Sequence, residues 1–375
     1  MDLRNRFVRS ATYDGFAEDG YVTDNQVNLY STLSQGGVGL IITGITYVHE
    51  SGEFSKFQNS IAGDEFIDGF KRLTSAVHQW GAKIALQLFH AGREARFPKP
   101  SDRVPVGPSF VETDPYFRGK YRRMTETEIS EVVHAFGDGA KRAREAGFDG
   151  VQIHGAHAYL LSQFLSPHTN RRDDKWGGEL ENRLRLHREI YQGIRHKVGE
   201  DYPVVIKIGV QDGFSGGLEF NEGKLAAHYL AELGVDALEI SQGLRGSGYK
   251  ETEFKTKINT LDREAYYRSW SAEIKKEVAV PVMLVGGLRT FDLMEEIVQK
   301  KEADLISLSR ALIRNPSLIN DWKHGDRHRA ECISCNKCLE GLRNGEKLHC
   351  VQHKDLSEKY FLIGTQPLED EGKGV

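Results

Sequence analysis

Eight short apolar runs recur along the chain: RFVRSA (6–11), VGLIITG (38–44), KIALQL (83–88), DGVQIH (149–154), PVVIKIG (203–209), VDALEIS (235–241), VPVMLVG (280–286) and ADLISLS (303–309). Most are continuously apolar and rich in Val, Ile and Leu, the pattern of strands buried on both faces. The gaps between them carry helical periodicity, as in EISEVVHAFGDGAKRAREAG (128–147). Three junctions, QGGVGL, EAGFDG and ELGVDA, share one grammar. A glycine supplies a left-handed helix stop and the next strand begins within two residues. Eight parallel strands with crossover helices predict an α/β fold, a closed (β/α)8 TIM barrel. A doubly wound open sheet competes with it, but no GxGxxG follows any strand. The connections after the second, third, fourth and sixth strands are long, and such loops carry the chemistry of barrels.

Composition narrows the picture. A chain of 375 residues holds one large domain of about 250 residues or more and an extension. A net charge of −4 gives no general attraction for nucleic acid or an anionic membrane. No apolar stretch approaches the roughly 20 residues of a membrane span. The opening MDLRNRF lacks an apolar signal core, so a cytoplasmic location is expected. All four cysteines lie between 332 and 350, which argues against a disulfide framework. The expected domains are a barrel over 1–325, a cysteine-bearing segment over 326–354 and a tail over 355–375 with a mobile end.

The strand ends form a ring of candidate groups around one pocket. The fourth ends in His154, with His157 and Tyr159 just beyond. Two imidazoles can donate to one oxygen that gains negative charge, and a phenol can deliver a proton. Structural histidines bonded to backbone are the plainer alternative. A metal site lacks a carboxylate or third histidine at ligand spacing. Gln87 ends the third strand and offers donor and acceptor to a planar heterocycle, or bonds to core backbone. Lys207 interrupts an apolar run, which is costly unless a negative charge meets it, from a ligand or from an acid such as Asp212. Ser10, Ala11 and Thr12 end the first strand, small and hydroxylated. Gly286-Gly287 and Ser309-Arg310 end the seventh and eighth, where barrels bind phosphate through glycine amides and a charged fork. A plain glycine turn and a surface arginine are the alternative there.

These residues are arranged as in the old yellow enzyme family of flavin oxidoreductases, which the chain resembles over roughly residues 4–320. HGAHAYLLSQFLSPHTNRRDDKWGGELENRLR (154–185) resembles the family's most specific stretch, and NRFVRSAT, GLIITG, LQLFHAGR, MLVGG and ISLSRALIRNP resemble its other blocks in order. The resemblance implies a barrel bearing FMN, with NADH or NADPH as co-substrate, that passes hydride to an activated alkene (an enone, enoate or enoyl thioester). It casts His154 and His157 as holders of the substrate carbonyl oxygen and Tyr159 as proton donor to the α-carbon. Ser10, Ala11, Thr12, Gly44, Ile45, Gln87 and Lys207 would meet the flavin ring. Gly286, Gly287, Ser309 and Arg310 would cradle its phosphate. Lys207 stands where many relatives have arginine, Thr12 where one bacterial subgroup has cysteine, and Gly44-Ile45 is bulkier than the usual small pair. An oligomer is compatible with the resemblance.

Cys332, Cys335, Cys338 and Cys350 are spaced C-x2-C-x2-C-x11-C. Thiolates at this spacing can close on a [4Fe–4S] cluster or, second in order, on zinc; an unmetallated segment is the third reading. CISCNKC with its later cysteine resembles the cluster segment of the 2,4-dienoyl-CoA reductase and trimethylamine dehydrogenase branch. Those relatives continue into nucleotide-binding domains, whereas no dinucleotide fingerprint follows here, so a cluster would receive electrons from a separate electron-transfer protein or stand as a structural relic. Two other functions stay open: an amine dehydrogenase, which usually has tyrosine where His154 stands, and an electron relay or redox sensor on a barrel scaffold.

Overall fold

The computed structural model describes residues 1–97 and 101–352. The tail assigned to 355–375 lies outside the described residues. Eight parallel strands close on themselves: β1 (Phe7–Arg9), β2 (Leu40–Tyr47), β3 (Lys83–Phe89), β4 (Gly150–Gly155), β5 (Val204–Gly209), β6 (Ala237–Ser241), β7 (Val282–Val285) and β8 (Leu305–Leu308). Each pairs with its neighbours in chain order, and β1 pairs with both β8 (Val8 with Ser307) and β2 (Val8 with Leu40). The expected TIM barrel is borne out. Each apolar run supplies one strand. β2 extends three residues past its run, with a register shift between Ile42 and Ile45.

Helices return the chain between strands. The helix Glu126–Glu145 begins at a capping box, Thr125 with Glu128, and its buried face carries Ile129, Val132, Phe136 and Ala140. Gly37, Gly147 and Gly234, at the three repeated junctions, all have positive φ (101°, 84° and 106°). The main core lies between these helices and the outer face of the sheet. A second, smaller cluster fills the barrel: Val8, Leu40, Ile42, Ala85, Val205, Ala237 and Met283. It plugs the interior, so polar groups above it meet only the upper mouth. The long connections 48–66, 90–125, 156–179 and 242–267 follow β2, β3, β4 and β6, as the sequence predicts. Among the described residues no helix is long and apolar enough to cross a membrane.

Candidate active site

A cavity of about 570 Å³ opens at the C-terminal ends of the strands. That volume suits a small-molecule or cofactor site. Ser10, Ala11, Thr12, Ile45, Gln87, His154, His157, Tyr159, Lys207, Gly286, Gly287, Ser309 and Arg310 all line it. Gly44 does not. Its N–H donates to Tyr30 Oη at 2.8 Å, behind the wall. A Cβ at Gly44 would lie 2.9 Å from the Thr12 carbonyl oxygen, so this glycine permits close approach of the segment after β1 to β2.

The two imidazoles lie 5.0 Å apart, centroid to centroid, and nearly perpendicular. His154 Nδ1 accepts the Ala156 N–H at 3.3 Å, which leaves Nε2 as the donor of the neutral ring. His157 Nε2 pairs with Ser241 Oγ at 2.8 Å. Burial pushes both pKa values well below the usual histidine range, and nearby Lys207 and Arg245 push the same way. Both rings are therefore neutral hydrogen-bonding groups. His157 and Ala158 have φ of 62° and 65°, a conformation uncommon for residues with a Cβ. The pair is pinned from outside: His157 N–H donates to the Gln242 carbonyl (3.0 Å) and Ala158 N–H to that of Gly243 (3.1 Å).

Tyr159 packs edge-on to Phe89 at 4.5 Å and to His154 at 5.2 Å. The Arg245 guanidinium lies 5.2 Å from its ring centroid. Burial raises the phenol pKa, so it holds its proton at neutral pH. Arg245 donates to Glu253 from Nε (2.9 Å) and Nη2 (2.6 Å). Burial works against the Arg245 charge, but the Glu253 carboxylate outweighs it and holds the pKa above its ordinary value.

Lys207 is buried and meets an acid, but the acid is Glu239 (3.2 Å) rather than Asp212. Asp212 instead accepts from Ser166 Oγ (2.6 Å) and the Leu218 and Leu244 N–H groups, tying three loops together. Its distance from Lys207 was not legible in the sequence, because Asp212 lies beyond the strand end. Thr12 Oγ1 bonds to Ser309 Oγ at 2.8 Å and joins the ends of β1 and β8. Gly286 and Gly287 have φ of 127° and 74°. A Cβ on either would stand 2.9 Å from the Tyr266 ring, so only glycine fits this turn.

Several cavity groups suit the flavin ring and phosphate that the resemblance implies. Ser307 Oγ is buried without a partner in the cavity wall. Gln87 commits Nε2 to Gln152 (2.7 Å), leaving its oxygen as an acceptor. Lys207 supplies positive charge, and the glycine turn supplies close backbone approach. Glu239, Gln152, Arg245, Glu253 and Ser307 escaped the sequence reading. Glu239 and Gln152 carried a usable signal, a polar residue inside an apolar run. Arg245 and Glu253 lie in an aperiodic loop and carried none.

The cysteine segment packs onto the same mouth. Cys332 and Cys338 line the main cavity, and all four thiols line a small adjoining pocket. All four are free. Among the described residues no three His, Cys, Asp or Glu side chains are gathered closely enough to hold a metal ion. Arg310 lines both cavities, donating to the Lys255 carbonyl (2.9 Å) and to Asn336 Oδ1. Arg314 Nε and Nη1 are buried without hydrogen-bond partners.

The buried histidines make a prediction about stability. Burial holds His90 and His187 at about 3, beside the depressed His154 and His157. Unfolded histidines titrate near ~6.5, so unfolding takes up protons below that pH. The stability these four contribute is whole above pH ~6.5 and drains away as pH falls through the depressed folded values. The melting temperature should drop by several degrees between pH 7 and pH 5, above the range where most carboxylates titrate. A flat profile there would contradict neutral buried rings.

Comparison with known proteins places this architecture. Residues 1–328 match the profile of the NADH:flavin oxidoreductase / NADH oxidase family. The chain is 37% identical over 352 residues to an NADH oxidase of Thermoanaerobacter brockii, covering 90% of this chain and 52% of that protein. It therefore spans about half the length of that relative. Its fold superposes on 2-naphthoyl-CoA reductase in complex with 2-naphthoyl-CoA with a TM-score of 0.88 at 26% identity, over 96% of this chain and 56% of that one. An old yellow enzyme homologue from Zymomonas mobilis gives a TM-score of 0.71 at 26% identity, over 87% and 90% of the two chains. The resemblance carried by the strand-end motifs is borne out, and the chain belongs to the NADH:flavin oxidoreductase / NADH oxidase family.

Proposed function

We propose that this chain is the catalytic barrel of an FMN-dependent oxidoreductase that uses NADH or NADPH to reduce an alkene conjugated to a carbonyl. One observation carries the reading: two neutral imidazoles and a protonated phenol share the wall of a cavity that also presents Gln87, Lys207 and a glycine-lined turn. FMN, when bound, supplies the two-electron chemistry that links nicotinamide to alkene. Gln87, Lys207 and Thr12 would hold its ring, and Gly286, Gly287, Ser309 and Arg310 its phosphate.

The chain's own residues then act on the substrate. As hydride reaches the β-carbon, electron density moves to the carbonyl oxygen. Hydrogen bonds from His154 and His157 stabilise that charge. Tyr159 gives its proton to the α-carbon, which completes net addition of H⁻ and H⁺ across the double bond. Arg245, beside the Tyr159 ring, favours the phenolate left behind. Tyr159→Phe should slow alkene reduction by about 10²–10⁴-fold while flavin reduction by nicotinamide stays near its original rate. Unchanged turnover would mean that the proton comes from elsewhere.

The four thiols and the partnerless Arg314 nitrogens support a second part of the reading. A thiolate cluster carries negative charge, and Arg314, whose Nη2 is paired with Glu331 at 2.7 Å, also favours the charged form of Cys350. We assign the segment to an iron–sulfur centre that receives electrons from a separate protein, which requires the four thiols to draw closer together than they stand here. Iron and acid-labile sulfide in anaerobically purified protein are expected; stoichiometric zinc would overturn this.

The function as a whole is tested by anaerobic titration of FMN-loaded protein. NADH or NADPH should bleach the flavin band near ~450 nm, and an enone or enoyl thioester should restore it. Flavin that neither nucleotide bleaches would end the proposal.

A further inference from the structure

Beneath the cavity floor lies a buried polar layer that the proposed chemistry does not use. Glu239 is fully buried and does not line the cavity. Its Oε1 accepts from Ser10 Oγ at 2.7 Å, and its Oε2 accepts from Gln152 Nε2 at 2.9 Å and lies 3.2 Å from Lys207 Nζ. Lys207 Nζ also donates to Ser10 Oγ at 2.9 Å. Gln152 Oε1 in turn accepts from Gln87 Nε2 at 2.7 Å. One carboxylate thus fastens Ser10 just past β1, Lys207 on β5 and, through Gln152, Gln87 on β3, three groups that face the cavity. Strand register favours this: Gln87 lies opposite Gln152, and Lys207 opposite Glu239.

A carboxylate here is expensive. The apolar plug lies below it, and a buried ion pair adds little stability over packed apolar side chains. Its charge nevertheless acts directly on the pair that faces the cavity. Resting on the flavin reading above, we propose that Glu239 is a positioning residue that sets the reduction potential of the bound cofactor. It does so in two ways. Through Gln152 it fixes which end of the Gln87 amide faces the cavity. Through Lys207 it offsets part of the positive charge that would otherwise favour the electron-rich, reduced flavin. Low local dielectric makes both effects strong.

The test is spectroelectrochemical titration of FMN-loaded protein. Glu239→Gln removes one negative charge at nearly constant size. It should raise the flavin midpoint potential by about 30–60 mV, a tenfold to hundredfold gain in preference for the reduced form, since about 30 mV is tenfold for a two-electron couple. Glu239→Asp keeps the charge and should return the potential most of the way. An unchanged or lowered potential in folded, FMN-bound Glu239→Gln protein overturns the proposal. Should that variant fail to fold, Gln152→Leu unfastens Gln87 and should weaken FMN binding about tenfold by fluorescence titration, the effect of one lost buried hydrogen bond; unaltered affinity overturns the proposal equally. Unmodified protein that takes up no FMN would remove the flavin reading and this inference together. Uptake with equal potentials in both proteins counts against Glu239 alone.

Discussion

Replacing His154 and His157 together by alanine should lower alkene reduction by about 10²–10³-fold per donor lost, a barrier increase of about 2.7–4 kcal/mol each. The geometry explains why the effect should be large and confined. Both rings are neutral, and both are fixed by partners within the protein, His154 by the Ala156 N–H and His157 by Ser241. They need no reorganisation when charge develops on the carbonyl oxygen, which is where preorganised donors act most strongly. No carbonyl oxygen gains charge when nicotinamide reduces the flavin, so stopped-flow reduction by NADH or NADPH should keep its rate. Equal losses in both half-reactions would show that the histidines shape the cavity instead. Ser241→Ala provides a milder check. It releases one anchor of His157 and should lower the alkene half-reaction alone.

The second large effect concerns the long connection after β3. Asp114→Ala should destabilise the fold by about 3–5 kcal/mol, measured by urea unfolding. Asp114 accepts from Arg93 Nη1 at 2.6 Å, and both side chains are almost wholly buried. The Arg93 guanidinium also stacks on Phe117 at 4.6 Å and has no partner for Nε. Without Asp114 a charge is left in the interior. Replacing both residues with apolar ones, Arg93→Met with Asp114→Leu, should recover much of the loss. A single-variant loss below about 1 kcal/mol would place the pair in effective solvent contact. Burial alone would raise the Asp114 pKa, but the Arg93 charge and hydrogen bonds from Tyr116 N–H and Arg93 prevail and hold it below the usual range. Its stabilising contribution is therefore whole above the unfolded value near ~3.9 and is lost as pH falls through the lower folded one. Asp114→Ala should flatten that part of the acid limb.

Much of the barrel was legible because its strands are buried on both faces and read as unbroken apolar runs. The three residues that β2 adds beyond VGLIITG were not, since the register shift between Ile42 and Ile45 depends on pairing with β3. The cavity ring was legible wherever a polar group ended or broke such a run, as with His154, Gln87 and Lys207. The same rule applied to VDALEIS and DGVQIH would have found Glu239 and Gln152. Arg245 and Glu253 could not be read this way. They meet each other and Tyr159 only because the loop after β6 folds over the mouth. The partner of Lys207 was likewise a matter of lateral strand register, which a linear reading ranks by sequence distance.

The left-handed pair His157-Ala158 bears on attempts to re-engineer this scaffold. Its unusual backbone is propped by two carbonyls, those of Gln242 and Gly243, from the segment a designer would exchange to admit bulkier molecules. Grafted loops that withdraw those carbonyls should relax the pair toward ordinary dihedrals and swing an imidazole out of line. Substrate scope and catalytic alignment are thus tethered at two peptide groups, and a library that spares them should yield a higher fraction of active members than one that randomises the whole loop.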